Sequence, residues 1–113
     1  MKIIDKPTEL NLIWKQRNSK FDGMLKIVVD IEQEILAIDA EMHADLEEIL
    51  IENGSQQKNL WGANVYPDKK ADDFIEYTSF INIRPREKNR SMEVQNPDIK
   101  LKIKNITERM LLK

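Results

Sequence analysis

Ser79-Phe80-Ile81-Asn82-Ile83-Arg84-Pro85-Arg86-Glu87-Lys88-Asn89-Arg90-Ser91-Met92 reads as a strand that stops at a proline, runs into a basic loop and returns as a second strand. Alternation puts Tyr77, Ser79, Ile81 and Ile83 on one side and Thr78, Phe80, Asn82 and Arg84 on the other. Asn82 then falls between two isoleucines. An amide in that position, if buried, needs partners for its donors and lone pairs, so it either serves a hydrogen-bond network or faces something wet. Pro85 lacks an N–H and ends the ladder. Beyond it Arg86, Lys88 and Arg90 join Arg84 against a single acid, Glu87. Such a loop either clamps a carboxylate or phosphate, for which arginine offers a fixed fork of donors, or is simply a solvated connection.

Upstream, Leu60-Trp61-Gly62-Ala63-Asn64-Val65-Tyr66-Pro67 is a second strand ended by proline. Trp61, Ala63 and Val65 would face one side, and Gly62, Asn64 and Tyr66 the other. A glycine inside a strand permits a large group or a ligand to approach the backbone closely. Pairing this strand with the one that carries Asn82 would gather Asn64, Tyr66, Asn82 and Arg84 on one face, the first place to look for a ligand. The alternative is a solvated sheet face with a tryptophan in the core.

Further out, Met24 to Ile31 and Glu34 to Met42 are expected to form a hairpin that turns near Glu32-Gln33, because Ile27-Val28-Val29 and Ile35-Leu36-Ala37-Ile38 are apolar and rich in strand formers. Met1 to Asp5 is a short strand, and Pro7-Thr8 opens a helix on which Leu10, Ile13, Trp14 and Arg17 recur. Trp14 is expected to anchor that helix to a sheet. Asn96-Pro97-Asp98 opens the last helix, with the asparagine as cap, the proline in the first turn and the acid at the positive end of the dipole. Its buried seam is Ile99, Ile103, Ile106 and Met110.

The only histidine lies at the entry to a third helix, Glu41 to Gly54, whose apolar stripe is read as Met42, Leu46, Ile49 and Leu50. Glu41 leans the same way as His43 if the chain is still extended there, and Glu47 comes one turn beneath it. This Glu41-His43-Glu47 grouping is the chain's acid–base candidate, since a neighbouring carboxylate raises and orients an imidazole. It is a poor metal candidate. There is no second histidine, no cysteine and no His-Glu-x-x-His spacing.

Composition narrows the classes further. A chain of 113 residues with 34% charged and 41% hydrophobic residues is expected to form a single domain over residues 1–113 with its own core. Without cysteine there are no disulfides and no thiolate metal sites. No apolar run reaches the length of a membrane span and no signal peptide is evident, so a cytoplasmic protein is expected. Neither a phosphate-cradling glycine loop nor a serine-hydrolase elbow occurs, and nothing calls for a cofactor. The net charge of −2 covers an uneven distribution. From Ile27 to Gln57 there are nine acids and no Lys or Arg, whereas from Arg84 to Lys113 nine basic residues face four acids. Overall acidity argues against non-specific duplex DNA binding, and no specific DNA-binding motif is present.

The runs Glu41-Met42-His43-Ala44-Asp45, Gly54-Ser55-Gln56-Gln57 with Leu60-Trp61-Gly62, Asn64-Val65-Tyr66-Pro67, Ile81-Asn82-Ile83-Arg84-Pro85 and Asn89-Arg90-Ser91-Met92 resemble a small prokaryotic family of unknown function, DUF5674. The resemblance spans nearly everything from Met24 onward and implies no catalytic assignment. Asp39-Ala40 departs from the small residues or glycines expected of similar proteins at a tight bend. The fold expected is α+β, a mainly antiparallel sheet of four to six strands with three helices. Three functions fit. One is a binding module in which Arg84, Arg86 and Arg90, with Asn64, Tyr66 and Asn82, engage an anionic small molecule, RNA or an acidic protein surface. Another is a homo-oligomer held by its opposite charges. The third is a small metal-independent enzyme with His43 as acid or base, Glu41 or Glu47 orienting it, and Arg84 and Arg90 holding an anionic substrate. The first two are favoured, since one histidine without a nucleophile is thin support for chemistry.

Overall fold

A five-stranded antiparallel sheet runs through the middle of the molecule with helices on both faces, as seen in a computed structural model that describes residues 1–113. The strands are β1 (Lys2–Ile4), β3 (Leu25–Asp30), β4 (Ile35–Ile38), β5 (Leu60–Val65) and β6 (Ile75–Glu76), ordered β1-β4-β3-β5-β6. A short parallel pair, β2 (Thr8–Glu9) with β7 (Leu111–Leu112), ties the two ends of the chain together. The helices are α1 (Leu10–Lys15), α2 (His43–Glu52) and α3 (Pro97–Met110). The α+β class, the antiparallel sheet and the three helices are those expected from the sequence.

Period-two alternation sorts the strand side chains into two cores. Leu25, Ile27 and Val29 of β3 and Trp61, Ala63 and Val65 of β5 face α1 and α3, whose Leu10, Ile13, Ile103, Ile106 and Met110 complete the larger core. Val28, Ala37 and Leu60 face α2 and meet Leu46 and Leu50 in the smaller one. Each fully buried Leu or Ile contributes about 1.5–3 kcal/mol, so the larger cluster dominates stability. The register Ile27↔Ala63 and Val28↔Gly62 keeps both patterns in phase across the central pair.

The β3–β4 hairpin closes through Asp30 rather than through an Asn-Gly turn. Its buried carboxylate accepts the N–H groups of Glu32 and Gln33, each at 2.9 Å, and the Ser55 hydroxyl at 2.6 Å. Glu34 takes the left-handed conformation that completes the turn. After β4 the chain bends sharply at Asp39, at a φ of 77°. A non-glycine residue bears that strain because its carboxylate accepts the N–H groups of Asn18 at 2.8 Å and Ser19 at 2.9 Å, fastening the α1–β3 loop to the bend. On α2 the buried stripe is His43, Leu46 and Leu50. Met42, placed on the stripe by sequence, is instead 59% exposed, because it precedes the helix as its extended cap residue. On α3, Asn96 Oδ1 accepts from the N–H groups of Asp98 and Ile99, and Ile103, Ile106 and Met110 are buried as the seam requires.

The segment from Tyr77 to Met92 differs from its expected form. It does go out and back, with antiparallel bridges Thr78↔Glu93 and Arg84↔Asn89, but it is not a pair of strands. Ser79 Oγ accepts the Ile81 N–H and starts a 3-10 turn over Phe80–Asn82, and a second such turn covers Pro85–Glu87. Local side-chain bonds of this kind compete with a ladder, and here they win. Alternation along Tyr77 to Ile83 therefore does not mark two faces: Ile81 packs on the smaller core while Ile83 is exposed.

Candidate functional site

The site is built on the outer edge of β5, beyond its short pairing with β6. Gly62 leaves room there: a Cβ on it would lie 2.5 Å from Ser79 Cβ, so only glycine lets the 79–82 turn sit this close. Asn82 then takes the place of a neighbouring strand. Its Oδ1 accepts the Gly62 N–H at 2.8 Å, and its Nδ2 donates to the Gly62 carbonyl at 2.9 Å and to Met92 O at 3.0 Å. Asn82 is wholly buried, and its amide is taken up inside the protein. Asn89, also buried, acts in the same way a layer further out, donating to the carbonyls of Asn82, Ser91 and Glu93 and accepting the Gln95 N–H.

Arg84 closes the next stretch of the edge. Its guanidinium donates to the carbonyls of Gln57 and Leu60 and stacks 4.3 Å from the centre of the Trp61 ring. Glu47 of α2 faces it. Burial pushes the Glu47 carboxyl above its ordinary range, and the Arg84 charge and the Gln57 side chain only partly offset this. Burial lowers the Arg84 proton affinity in turn, with Glu47 and then Glu87 pulling it back up; a guanidinium stays charged regardless. Arg84 Nε and Glu47 Oε2 are buried with no hydrogen-bond partner in the protein.

A cleft of about 490 Å³ opens over this arrangement. Ile83 and Pro85 form its apolar part; Gln57 and Lys58 lie on one side and Arg84, Arg86 and Glu87 on the other. Three cationic side chains against one carboxylate make it electropositive. Lys58, Gln57 and Glu87 were not among the residues singled out from sequence. Gln57 and Lys58 lie far along the chain from residues 83–87, and the Arg84 bonds to the Gln57 and Leu60 carbonyls draw the two segments together.

The other candidates lie elsewhere. Asn64 and Tyr66 meet at the far end of β5, where both donate to Glu76 Oε1, at 2.9 and 3.1 Å. The Tyr66 hydroxyl is held above its usual proton affinity by burial and by that carboxylate. Arg86 and Arg90 are exposed, and the Arg90 N–H donates to Gln95 Oε1. His43 is buried at the start of α2, where its Nε2 donates to the Ala63 carbonyl at 2.8 Å. Burial pushes its pKa below the usual 6.5; the Ala63 carbonyl opposes this, Lys26 adds to it and the Asn64 side chain opposes it. Glu41 is exposed and accepts the Lys20 N–H at 3.1 Å. Thus Glu41, His43 and Glu47 each have separate partners, and no three His, Asp or Glu side chains come together as a metal-holding group.

A family model described as a protein of unknown function, DUF5674, matches residues 2–110. The chain belongs to the DUF5674 family. No curated protein and no solved structure matches it. In this DUF5674 chain the motif words quoted from sequence fall on the β5 strand, the 79–92 segment and the start of α2, so they map onto the sealed edge and its surroundings. No helix is long and apolar enough to cross a membrane.

Proposed function

We infer that this DUF5674 protein is a binding module whose cleft beside β5 takes a carboxylate- or phosphate-bearing ligand. The observation that carries this reading is the convergence of Lys58, Arg84 and Arg86 on one concavity of about 490 Å³, within the usual size range of ligand sites. Arg84 is preorganised by two main-chain carbonyls and the Trp61 ring, so little side-chain freedom is lost when an anion arrives. Ile83 and Pro85 offer the anion's carbon framework an apolar surface. Arg90 is exposed and does not line the cavity.

An enzyme that used His43 as acid or base has less behind it. The imidazole is 7% exposed and its Nε2 proton is committed to a main-chain carbonyl. Its carboxylate neighbours in sequence serve the Lys20 amide and the Arg84 side of α2.

Titration with tripolyphosphate, followed by calorimetry and by amide chemical shifts, tests the binding reading. Binding should perturb Lys58 and residues 83–87 and should weaken about tenfold or more in a Lys58→Ala, Arg86→Ala variant, both side chains being exposed and outside the packing. Shifts spread evenly over all basic residues, or an affinity unchanged in that variant, would overturn it.

A further inference from the structure

The cleft does not stand alone on its face of the molecule. The 80–82 turn packs beside α2 on the same side of the sheet, with Ile81 against the core that holds Leu46 and Leu50. Glu47 marks the flank of α2 that faces Arg84. Each residue along a helix turns by about 100°, so Ala44, Ile51 and Glu48 follow Glu47 outward from that flank. The surface therefore runs from a basic cleft with an apolar rim straight onto an acidic helix. Phe80 is 77% exposed, Ile83 44% and Ile51 43%; they are carried by the turn beside α2, by the cleft rim and by α2 itself. Glu48 and Glu52 are exposed on α2, and neither takes part in an ion pair within the chain.

We propose that this face is a self-complementary docking surface, and that the anion entering the cleft is the acidic side of α2 from a second copy of the chain. The proposal rests on the binding reading above and names its partner. A twofold axis makes each patch meet the other's complement, so residue i touches j and j touches i. Arg86 of one copy would meet Glu48 of the other, twice over, while Phe80, Ile83 and Ile51 from both copies bury one another between the two charge pairs. Adjacent basic and acidic patches on one face suit this closed arrangement; patches on opposite faces would chain into filaments.

Sedimentation of the full chain over a wide concentration range, at low and moderate salt, tests the proposal with three variants. The wild type should dimerise at low salt and dissociate as salt rises. Arg86→Glu and Glu48→Lys should each weaken the dimer about tenfold or more, because each places like charges opposite one another. The chain carrying both substitutions should recover the dimer, since the reversed pair is again complementary. Circular dichroism and melting temperature, read at moderate salt and at a concentration where every chain is monomeric, should be unchanged in all three because both side chains are exposed, which shows that folding is not the cause. A wild type that stays monomeric at every concentration, or a double variant no tighter than the single ones, overturns the proposal. Tripolyphosphate separates it from the binding reading. If the monomer binds it at Lys58 and Arg86 without any dimer forming, the cleft stands and the second copy falls. If a dimer forms but tripolyphosphate neither binds nor dissociates it, the cleft reading itself falls.

Discussion

Asp39 and His43 are polar residues buried for opposite electrostatic reasons. Burial alone would raise the Asp39 carboxyl, but the hydrogen bonds from the Asn18 and Ser19 N–H groups outweigh it and leave the pKa lowered. His43 is kept neutral by burial, with Lys26 adding to the effect. A histidine whose folded pKa lies below its unfolded value takes up a proton more readily once the chain unfolds. Its contribution to stability is therefore complete above the ordinary value of 6.5 and is lost as pH falls through the lower folded value. Melting temperatures measured from about pH 8 down to about pH 5 should decline through this window in the wild type. His43→Gln, which can donate to the same Ala63 carbonyl without titrating, should show a flatter profile there; an equal decline in both would clear His43 of the effect.

At the scale of the element, the outer edge of β5 is closed by side chains instead of by a strand. An unpaired edge invites pairing with another chain, and here Asn82 and Arg84 occupy the donors and acceptors that would otherwise be offered. Asn82→Ala would strip partners from the Gly62 N–H and carbonyl in a dry place. At about 1–3 kcal/mol for each buried group left unpaired, a loss of about 2–4 kcal/mol is expected. Urea unfolding would measure the loss, and hydrogen exchange at Gly62 would locate it, with that amide well protected in the wild type and markedly faster in the variant. Protection retained in Asn82→Ala would mean that packing of the 79–82 turn, and not the amide, seals the edge. Gly62 itself was readable as a place of close approach; that the approaching group would be Ser79 was not, because nothing in a sequence states which loop folds back on a given strand.

For the molecule as a whole, the sheet separates unequal halves. α3 and α1 lie over the larger core and α2 over the smaller, which has six buried members against eighteen. The helix over less buried apolar surface should detach first. Native-state exchange is expected to show α2 amides opening with a smaller free energy than those of β3 and α3, whose protection should approach that of global unfolding. A single common opening free energy for all three would mean that the two faces unfold as one. The charge segregation seen along the chain becomes spatial only to a degree: the acidic helix and the basic α3 do lie on opposite faces, yet the basic 84–90 loop sits beside the acidic helix.

Hydrophobic periodicity was enough, without coordinates, to establish the α+β class, the β3–β4 hairpin, the two faces of β5 and the seam of α3. The period of a side-chain pattern is a local property, fixed by backbone geometry wherever one face is buried. The bend at Asp39 was open to question in the sequence, since the resemblance expects small residues or glycines there and an aspartate put a tight bend in doubt; the Asn18 and Ser19 N–H groups that hold it come from another segment. What only the tertiary structure decided is the fate of the 79–92 segment and the composition of the cleft. An alternating run such as Tyr77 to Ile83 suits a strand only if a partner edge offers main-chain groups to it. Here Asn82 and Ser79 supplied those bonds from side chains, and the same fold-back brought Arg84 onto Gln57 and Leu60, opening the cleft where distant segments meet.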